Sequence, residues 1–171
     1  RGMIVWMLKS MSFYGLWEVG CGPGANLVRI VKEIPNKRLG GCDVNADAIA
    51  VASRTLTGST LRVESGDNMF LSDKSMDILL TDMTLIYVGP FKIKSYLKEF
   101  KRVARRYVVL VEFDSKNWFV RQKERLSGHH AHNYRKLLTE LGYYDIMIQE
   151  IPQEFYPGEK VGLRKIITAR P

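Results

Sequence analysis

The sequence predicts a doubly wound α/β fold, a mostly parallel seven-stranded sheet with one antiparallel edge strand. Five apolar segments of strand length each give way to a helical or irregular crossover, a pattern that makes neighbouring strands parallel and puts helices on both faces. The last two strand segments are joined only by PQEFYPGEK, with no helix, and so are expected to pair antiparallel at one edge. The third observation bears on function. Glu18 to Gly24, Asp43, Asp67 and Asp82 all fall at the carboxyl ends of predicted strands, where sheets of this kind bind ligands.

In chain order, residues 3–13 read as a helix and GLWEVG (15–20) as the first buried strand. In GANLVRIVKEI (24–34), Leu27, Val28, Val31 and Ile34 share a helical face, and Pro35 stops the helix. RLGGCDV (38–44) is the second strand. Asn45 is a good N-cap, with Asp47 in the first turn of a helix running to about Leu56. TLRVES (60–65) and MDILLTD (76–82) are the third and fourth strands. Over 92–105, Ile93, Tyr96, Leu97, Phe100, Val103 and Ala104 form one apolar stripe, with Lys and Arg around the rest. YVVLVEF (107–113) is a fully buried fifth strand. Tyr134, Leu137, Leu138 and Leu141 mark a further helix closed by Gly142, and the strands 143–151 and 162–170 follow.

At 171 residues, a single domain over 1–171 is expected. Hydrophobic content of 46% with 26% charged residues is ordinary for a globular chain. No apolar run approaches the ~20 residues of a membrane span. RGMIVWMLKSMSFYG lacks a small-residue cleavage site, so no signal peptide is read and a cytoplasmic location is expected. The chain opens on Arg rather than Met, so an N-terminal segment is expected to be missing. A disulfide between Cys21 and Cys42 is one reading; buried thiols in a reducing compartment is the preferred one. No Cys/His cluster has zinc-ligand spacing, and no metal is expected.

The net charge of +8 is uneven: residues 1–90 carry 9 cationic and 9 acidic residues, residues 91–171 carry 17 and 9. Such a basic half suits an anionic substrate or nucleic acid, against the plain alternative of solvated helix faces.

Gly20-x-Gly22-x-x-Ala25, with Asp43 about twenty residues on, satisfies the dinucleotide fingerprint, so a nicotinamide cofactor has to be weighed. Three features point elsewhere. Glu18, two residues before the first glycine, suits a cationic amino group better than a pyrophosphate. Asp67 follows the third strand, where an adenine amino group can be read. The paired C-terminal strands also suit a different family.

The motifs EVGCGPG (18–24), CDVN (42–45), SGDNM (65–69) and DILLTD (77–82), in this order, resemble those of the class I S-adenosylmethionine-dependent methyltransferases. The resemblance covers nearly the whole chain and implies the Rossmann-like methyltransferase fold with S-adenosylmethionine as cofactor. It assigns cofactor contacts to Glu18, Gly20, Cys21, Gly22 and Gly24, to Asp43 and Val44, to Asp67, Asn68 and Met69, and to Asp82. Within these, Glu18 helps hold the amino group, Asp43 the ribose hydroxyls, and 67–69 frame the adenine. More narrowly, GANL, LIYV (85–88), FKRVARRYVVLVEF (100–113) and SGHHAHNYRKLL are similar to small methylases associated with pseudaminic acid biosynthesis. Tyr87 departs from that pattern, where a His is usual, and Asp114 stands where an aromatic is usual.

Methyl transfer asks the protein to align the nucleophile and, for a hydroxyl, to remove its proton. Candidates are His129 and His130 in GHHAH (128–132), and Tyr87 and Asp82, which border the methyl site on the resemblance. Each has a plain reading as well: a polar loop for the histidines, a structural cap for Asp82. Glu112 either reaches the pocket or satisfies local backbone donors. TDMTLIY after the fourth strand has no Asn/Asp-Pro-Pro-aromatic run and no cysteine, which argues against DNA-base and RNA-cytosine carbon methylation. What remains is O- or N-methylation of a small molecule, with a sugar or sugar acid favoured. Residues 91–136 carry 13 cations and 4 acids, and KNWFVRQKERLSGHH (116–130) is where a substrate loop belongs. An anionic small molecule is the first expectation and RNA the second. A non-catalytic binding domain is a third, and a nicotinamide oxidoreductase the most distant.

Overall fold

The computed structural model describes residues 2–151 and 162–171. Its elements are α1 (Gly2–Lys9), β1 (Gly15–Val19), α2 (Ala25–Glu33), β2 (Arg38–Asp43), α3 (Ala46–Thr55), β3 (Thr60–Val63) and β4 (Met76–Asp82). After a short turn of 3₁₀ helix (Leu85–Tyr87) come α4 (Ile93–Val103), β5 (Ala104–Phe113), α5 (Trp118–Leu126), α6 (Tyr134–Glu140), β6 (Tyr144–Glu150) and β7 (Arg164–Arg170).

The seven strands form one sheet in the order β3-β2-β1-β4-β5-β7-β6. The first five are parallel; β7 runs antiparallel to both β5 and β6. The strand that opposes the others therefore lies second from the edge, and β6 is the edge itself. Strand order reverses between β1 and β4, which opens a crevice at their carboxyl ends.

Side-chain alternation along the strands divides the core into two. Leu16, Ile78, Leu80, Val109, Val111 and Ile166 face α1, α2 and α3. Trp17, Leu79, Val108, Leu110 and Ile167 face α4 and α6. On α4, Ile93, Leu97, Phe100 and Val103 recur at helical spacing and are buried, each stabilising by roughly 1.5–3 kcal/mol. Asparagine opens three helices: the Asn45 side chain accepts from the Asp47 and Ala48 N–H groups, Asn117 from Phe119, and Asn133 from Lys136.

The structure differs from the predicted elements in three places. The first helix ends at Lys9 rather than residue 13, because the Ser10 and Met11 N–H groups turn back to the Met7 and Leu8 carbonyls and the Ser10 hydroxyl also donates to Met7. The helix predicted over 92–105 passes directly into β5 at Ala104, whose N–H still bonds to Phe100 while its own backbone is extended. Residues 118–126, expected as part of a loop, are helical. The connection 152–161, which contains the whole of PQEFYPGEK, lies outside the described residues.

Candidate active site

Between β1 and α2 the chain turns through Gly20, Gly22 and Gly24, all at positive φ. Gly20 is required twice over: at φ 71° a side chain is strained, and a Cβ there would collide with the side chain of Thr84. Gly22, by contrast, faces open space, with nothing within 4 Å of where its Cβ would stand. The loop is tied down by Asp43 at the end of β2. One Asp43 oxygen accepts the Gly22 N–H at 2.8 Å, and the other accepts the Asn45 N–H at 2.9 Å.

Glu18 is buried at the end of β1 and accepts from the Asn26 side-chain amide at 2.7 Å. The same amide nitrogen donates to Asp82 at 3.2 Å, bridging the ends of β1 and β4 from the first turn of α2. Arg164, at the start of β7, closes the chain of contacts with an ion pair to the other Asp82 oxygen. Asp82 is thus held from two sides in its own β-strand corner, and both its oxygens are engaged.

A cavity of about 400 Å³ opens at the strand reversal. Val19, Gly20, Asp43, Val44, Gly66 and Tyr96 are among the residues lining it, with Asp82, Met83, Thr84, Tyr87 and Val88 forming one wall. Its charged lining residues are Asp43 and Asp82, both acidic. Of the 65–69 segment Gly66 lines the cavity. Asp67 is anchored by the Ser65 hydroxyl, which also meets the Tyr96 hydroxyl at 2.9 Å; Asn68 is exposed and Met69 is packed in the core. Cys21 and Cys42 are free buried thiols. Burial, foremost, pushes the Cys42 thiol up to about 12 and the Cys21 thiol higher still, so neither is a nucleophile near neutral pH.

The wall after β4 is strained and supported. Met83 leaves the strand at φ 56°, which costs a non-glycine residue roughly 1–2 kcal/mol. Its N–H bonds to Val111. The fully buried Glu112 accepts the Thr84 and Leu85 N–H groups on one oxygen, at 3.0 and 3.1 Å. Glu112 therefore satisfies backbone donors rather than lining the cavity. Burial raises its carboxyl to about 7, against the lowering pull of those donors.

The histidines diverge. The His129 ring lies 5.6 Å from that of Tyr87 and 6.3 Å from Phe113, on the side of the acidic cavity. His130 points the other way, stacking 6.1 Å from His132 and lining a second cavity. His132 is buried, with Nε2 2.9 Å from the Val88 carbonyl oxygen, and burial pushes it down to about 4. So of the four acid–base candidates, Tyr87 and Asp82 line the acidic cavity, His129 stands beside Tyr87, and His130 belongs elsewhere.

Sequence reasoning missed Asn26, Thr84, Tyr96 and Arg164. Only Asn26 left a trace, as an amide on the same helical turn as buried Leu27. The basic stretch 91–136 is also less free than its composition. Lys94, Arg102, Arg105, Arg106 and Lys136 are in ion pairs, and Lys101 is bonded to the carbonyls at the end of α6. Among the described residues no three His, Cys, Asp or Glu side chains are placed to hold a metal ion, and no helix is long and apolar enough to cross a membrane.

Residues 17–106, more than half the chain, match the family described as "Methyltransferase domain". No protein of curated function matches. Among solved structures, the chain is similar to a SAM-dependent methyltransferase from Methanosarcina mazei, at 22% identity over 96% of both chains with a TM-score of 0.71. It also resembles a SAM-dependent methyltransferase from Archaeoglobus fulgidus, at 14% identity over 100% of this chain and 94% of that one, TM-score 0.75. A third is magnesium protoporphyrin IX methyltransferase from Synechocystis PCC 6803 with bound SAM, at 15% identity over 98% and 74%, TM-score 0.71. The open-faced glycine loop, the acidic crevice at the strand reversal and the 3-2-1-4-5-7-6 sheet thus meet in one family: the chain belongs to the S-adenosylmethionine-dependent methyltransferases.

Proposed function

We propose that residues 1–171 act as one unit that transfers the methyl group of S-adenosylmethionine to an oxygen or nitrogen of a small molecule. The observation that carries the cofactor's placement is the sign of the cavity at the strand reversal. Its charged lining residues are carboxylates, which suit a ligand with a sulfonium and an ammonium and repel a pyrophosphate. A volume of about 400 Å³ is within the usual range for such ligands. When bound, the cofactor supplies a methyl group made electrophilic by its sulfonium.

The chain's residues do the rest. Gly22 gives the backbone close approach, and Gly20, Cys21 and Gly24 shape the loop around it. Asp43 keeps a lone pair on each oxygen after its backbone bonds, enough to accept both ribose hydroxyls. Glu18, oriented by Asn26, draws the amino group, and Asp82, held by Asn26 and Arg164, supports it electrostatically rather than moving a proton. Val44 and Asp67 with Asn68 flank the adenine, and Met69 is packed in the core behind them. Tyr87 borders the transfer site, and His129 beside it takes the acceptor's proton.

A sugar or sugar acid, the acceptor class suggested by the pseudaminic-acid-associated methylases, is the finer form of this reading. Calorimetry tests its base. S-adenosylmethionine and S-adenosylhomocysteine should bind the wild type, and NAD should not; a wild type that ignores both overturns the assignment. Incubation of a metabolite extract with methyl-labelled cofactor then identifies the acceptor. RNA is disfavoured by how many of the 91–136 cations are neutralised locally, and steeply salt-dependent RNA binding would reinstate it.

A further inference from the structure

The second cavity has the opposite sign to the first. It occupies about 320 Å³ among α4, α5 and α6, at the carboxyl edge of the sheet. Lys94 from α4, Arg121 and Arg125 from α5, and Lys136 from α6 all line it, against the single carboxylate of Glu140. Glu140 pairs with Lys94 at 2.9 Å and Lys136 at 3.8 Å, so it accounts for the lysines. Arg121 is fixed by donating to the Ser115 and Lys116 carbonyls, both at 2.9 Å. The Arg125 carbonyl accepts from the Gly128 N–H, but its guanidinium makes no hydrogen bond or ion pair with any described residue. It faces His130, whose proton affinity is lowered by burial and then by the Arg125 charge.

The two cavities share a partition. Tyr87 and Val88 line the acidic one, Pro90 lines the basic one, and Gly89 between them stands 3.8 Å, measured from its would-be Cβ, from His130 Nε2. The His130 N–H bonds to the Ile86 carbonyl at 2.7 Å, which locks the histidine loop to this partition.

We propose that the basic cavity is an oxyanion subsite of the acceptor: Arg125, His130 and Arg121 bind a phosphate or carboxylate group of the molecule being methylated. Its reactive oxygen or nitrogen then reaches past Tyr87–Pro90 to the methyl group. The inference rests on the methyltransferase reading, and it names the acceptor's class as anionic. The guanidinium groups one helical turn apart on α5 make a fork that fits two oxygens of one anion. The flexible ammonium groups of Lys94 and Lys136 close the remaining sides.

The test uses the full chain with its histidine rings isotope-labelled, titrated separately with inorganic phosphate and with malonate. The expected result is a saturable shift of the His130 ring with at least one of the two ions, while His129 moves little. The ion that saturates identifies the group. Arg125→Gln, an exposed position, should weaken this binding by about five- to tenfold. The same variant should leave S-adenosylhomocysteine affinity within about twofold, since Arg125 lies outside the acidic cavity. Shifts that stay linear with both ions, or that survive Arg125→Gln unchanged, overturn the proposal. A single-stranded oligonucleotide that moves His130 at concentrations about a hundredfold below either ion overturns the small-molecule form in favour of a polymer. A wild type that fails to bind S-adenosylhomocysteine removes the methyltransferase reading alone, because the ion titrations read His130 directly.

Discussion

The acidic and basic cavities lie on either side of four residues, Tyr87 to Pro90, yet they are built on different principles. The acidic one is made of short side chains at strand ends, tied down by backbone and buried partners. Asp43 is held by two N–H groups and Asp82 by Asn26 and Arg164, with Glu18 buried behind them on the same Asn26 amide. The basic one is made of long side chains from three helices, of which only Arg121 is fixed to the backbone. Rigid short groups present one charge pattern at low entropic cost, whereas lysine and arginine stems adjust to whatever enters. A site for an invariant donor beside one for a variable acceptor has this asymmetry.

The sharpest way to separate the two sides is His129→Ala. Loss of the proposed base should lower kcat by ~10²–10⁴-fold while calorimetry shows cofactor affinity nearly unchanged. A parallel fall in affinity would mean that His129 belongs to the donor side. Next in size is Asp43→Ala, which removes the anchor of Gly22 and the proposed ribose acceptor together. We expect cofactor binding to weaken by about a hundredfold, near 3 kcal/mol, in an isothermal titration. An effect below threefold would show the acidic cavity to be less preorganised than its hydrogen bonds indicate.

The partition itself can be probed through Glu112. Its carboxyl is raised to about 7 in the folded protein, above its ordinary value of 4.5, so the folded state holds an extra proton between those two values. The contribution is present in full below about pH 4.5 and is lost as pH rises through 7, on the order of 3 kcal/mol. Glu112→Gln keeps an acceptor for the Thr84 and Leu85 N–H groups without titrating. Denaturant melts at pH 5 and pH 8 should therefore show a smaller pH difference in the variant than in the wild type. Equal differences would place the titration elsewhere. Smallest of all is Lys136→Ala: the exposed lysine is 3.8 Å from a carboxylate it shares with Lys94, and its removal should change stability by less than ~0.5 kcal/mol.

The same contrast governs what could be read from the sequence. The acidic cavity was legible because Gly20, Asp43 and Asp82, which line it, sit in short contiguous motifs at strand ends, and the sheet delivers those ends to one edge. Its supports were not, because Asn26 and Arg164 reach Asp82 across 56 and 82 residues of chain. The basic cavity was legible only as a charge excess. Its geometry needs α5, and the one buried residue of α5 is Glu124, so no apolar periodicity announced a helix there. The cap Asn117 and the left-handed Gly128 just beyond its end were the available signs. His129 and His130 looked equivalent as neighbours in a string; the fold sets His129 against Tyr87 and Phe113 and turns His130 into the basic cavity.

That divergence has an evolutionary consequence. Through GHHAH the rings of His130 and His132 stack on the side of the basic cavity, while the His129 ring meets those of Tyr87 and Phe113. A point substitution at either histidine alters one compartment and spares its neighbour. A one-residue insertion would exchange them, turning the ring beside Tyr87 toward the anion and the anion-side ring toward the methyl group. Descendants of this chain can thus acquire new acceptors by single replacements in the loop, whereas a change in its length disrupts both halves of the reaction at once.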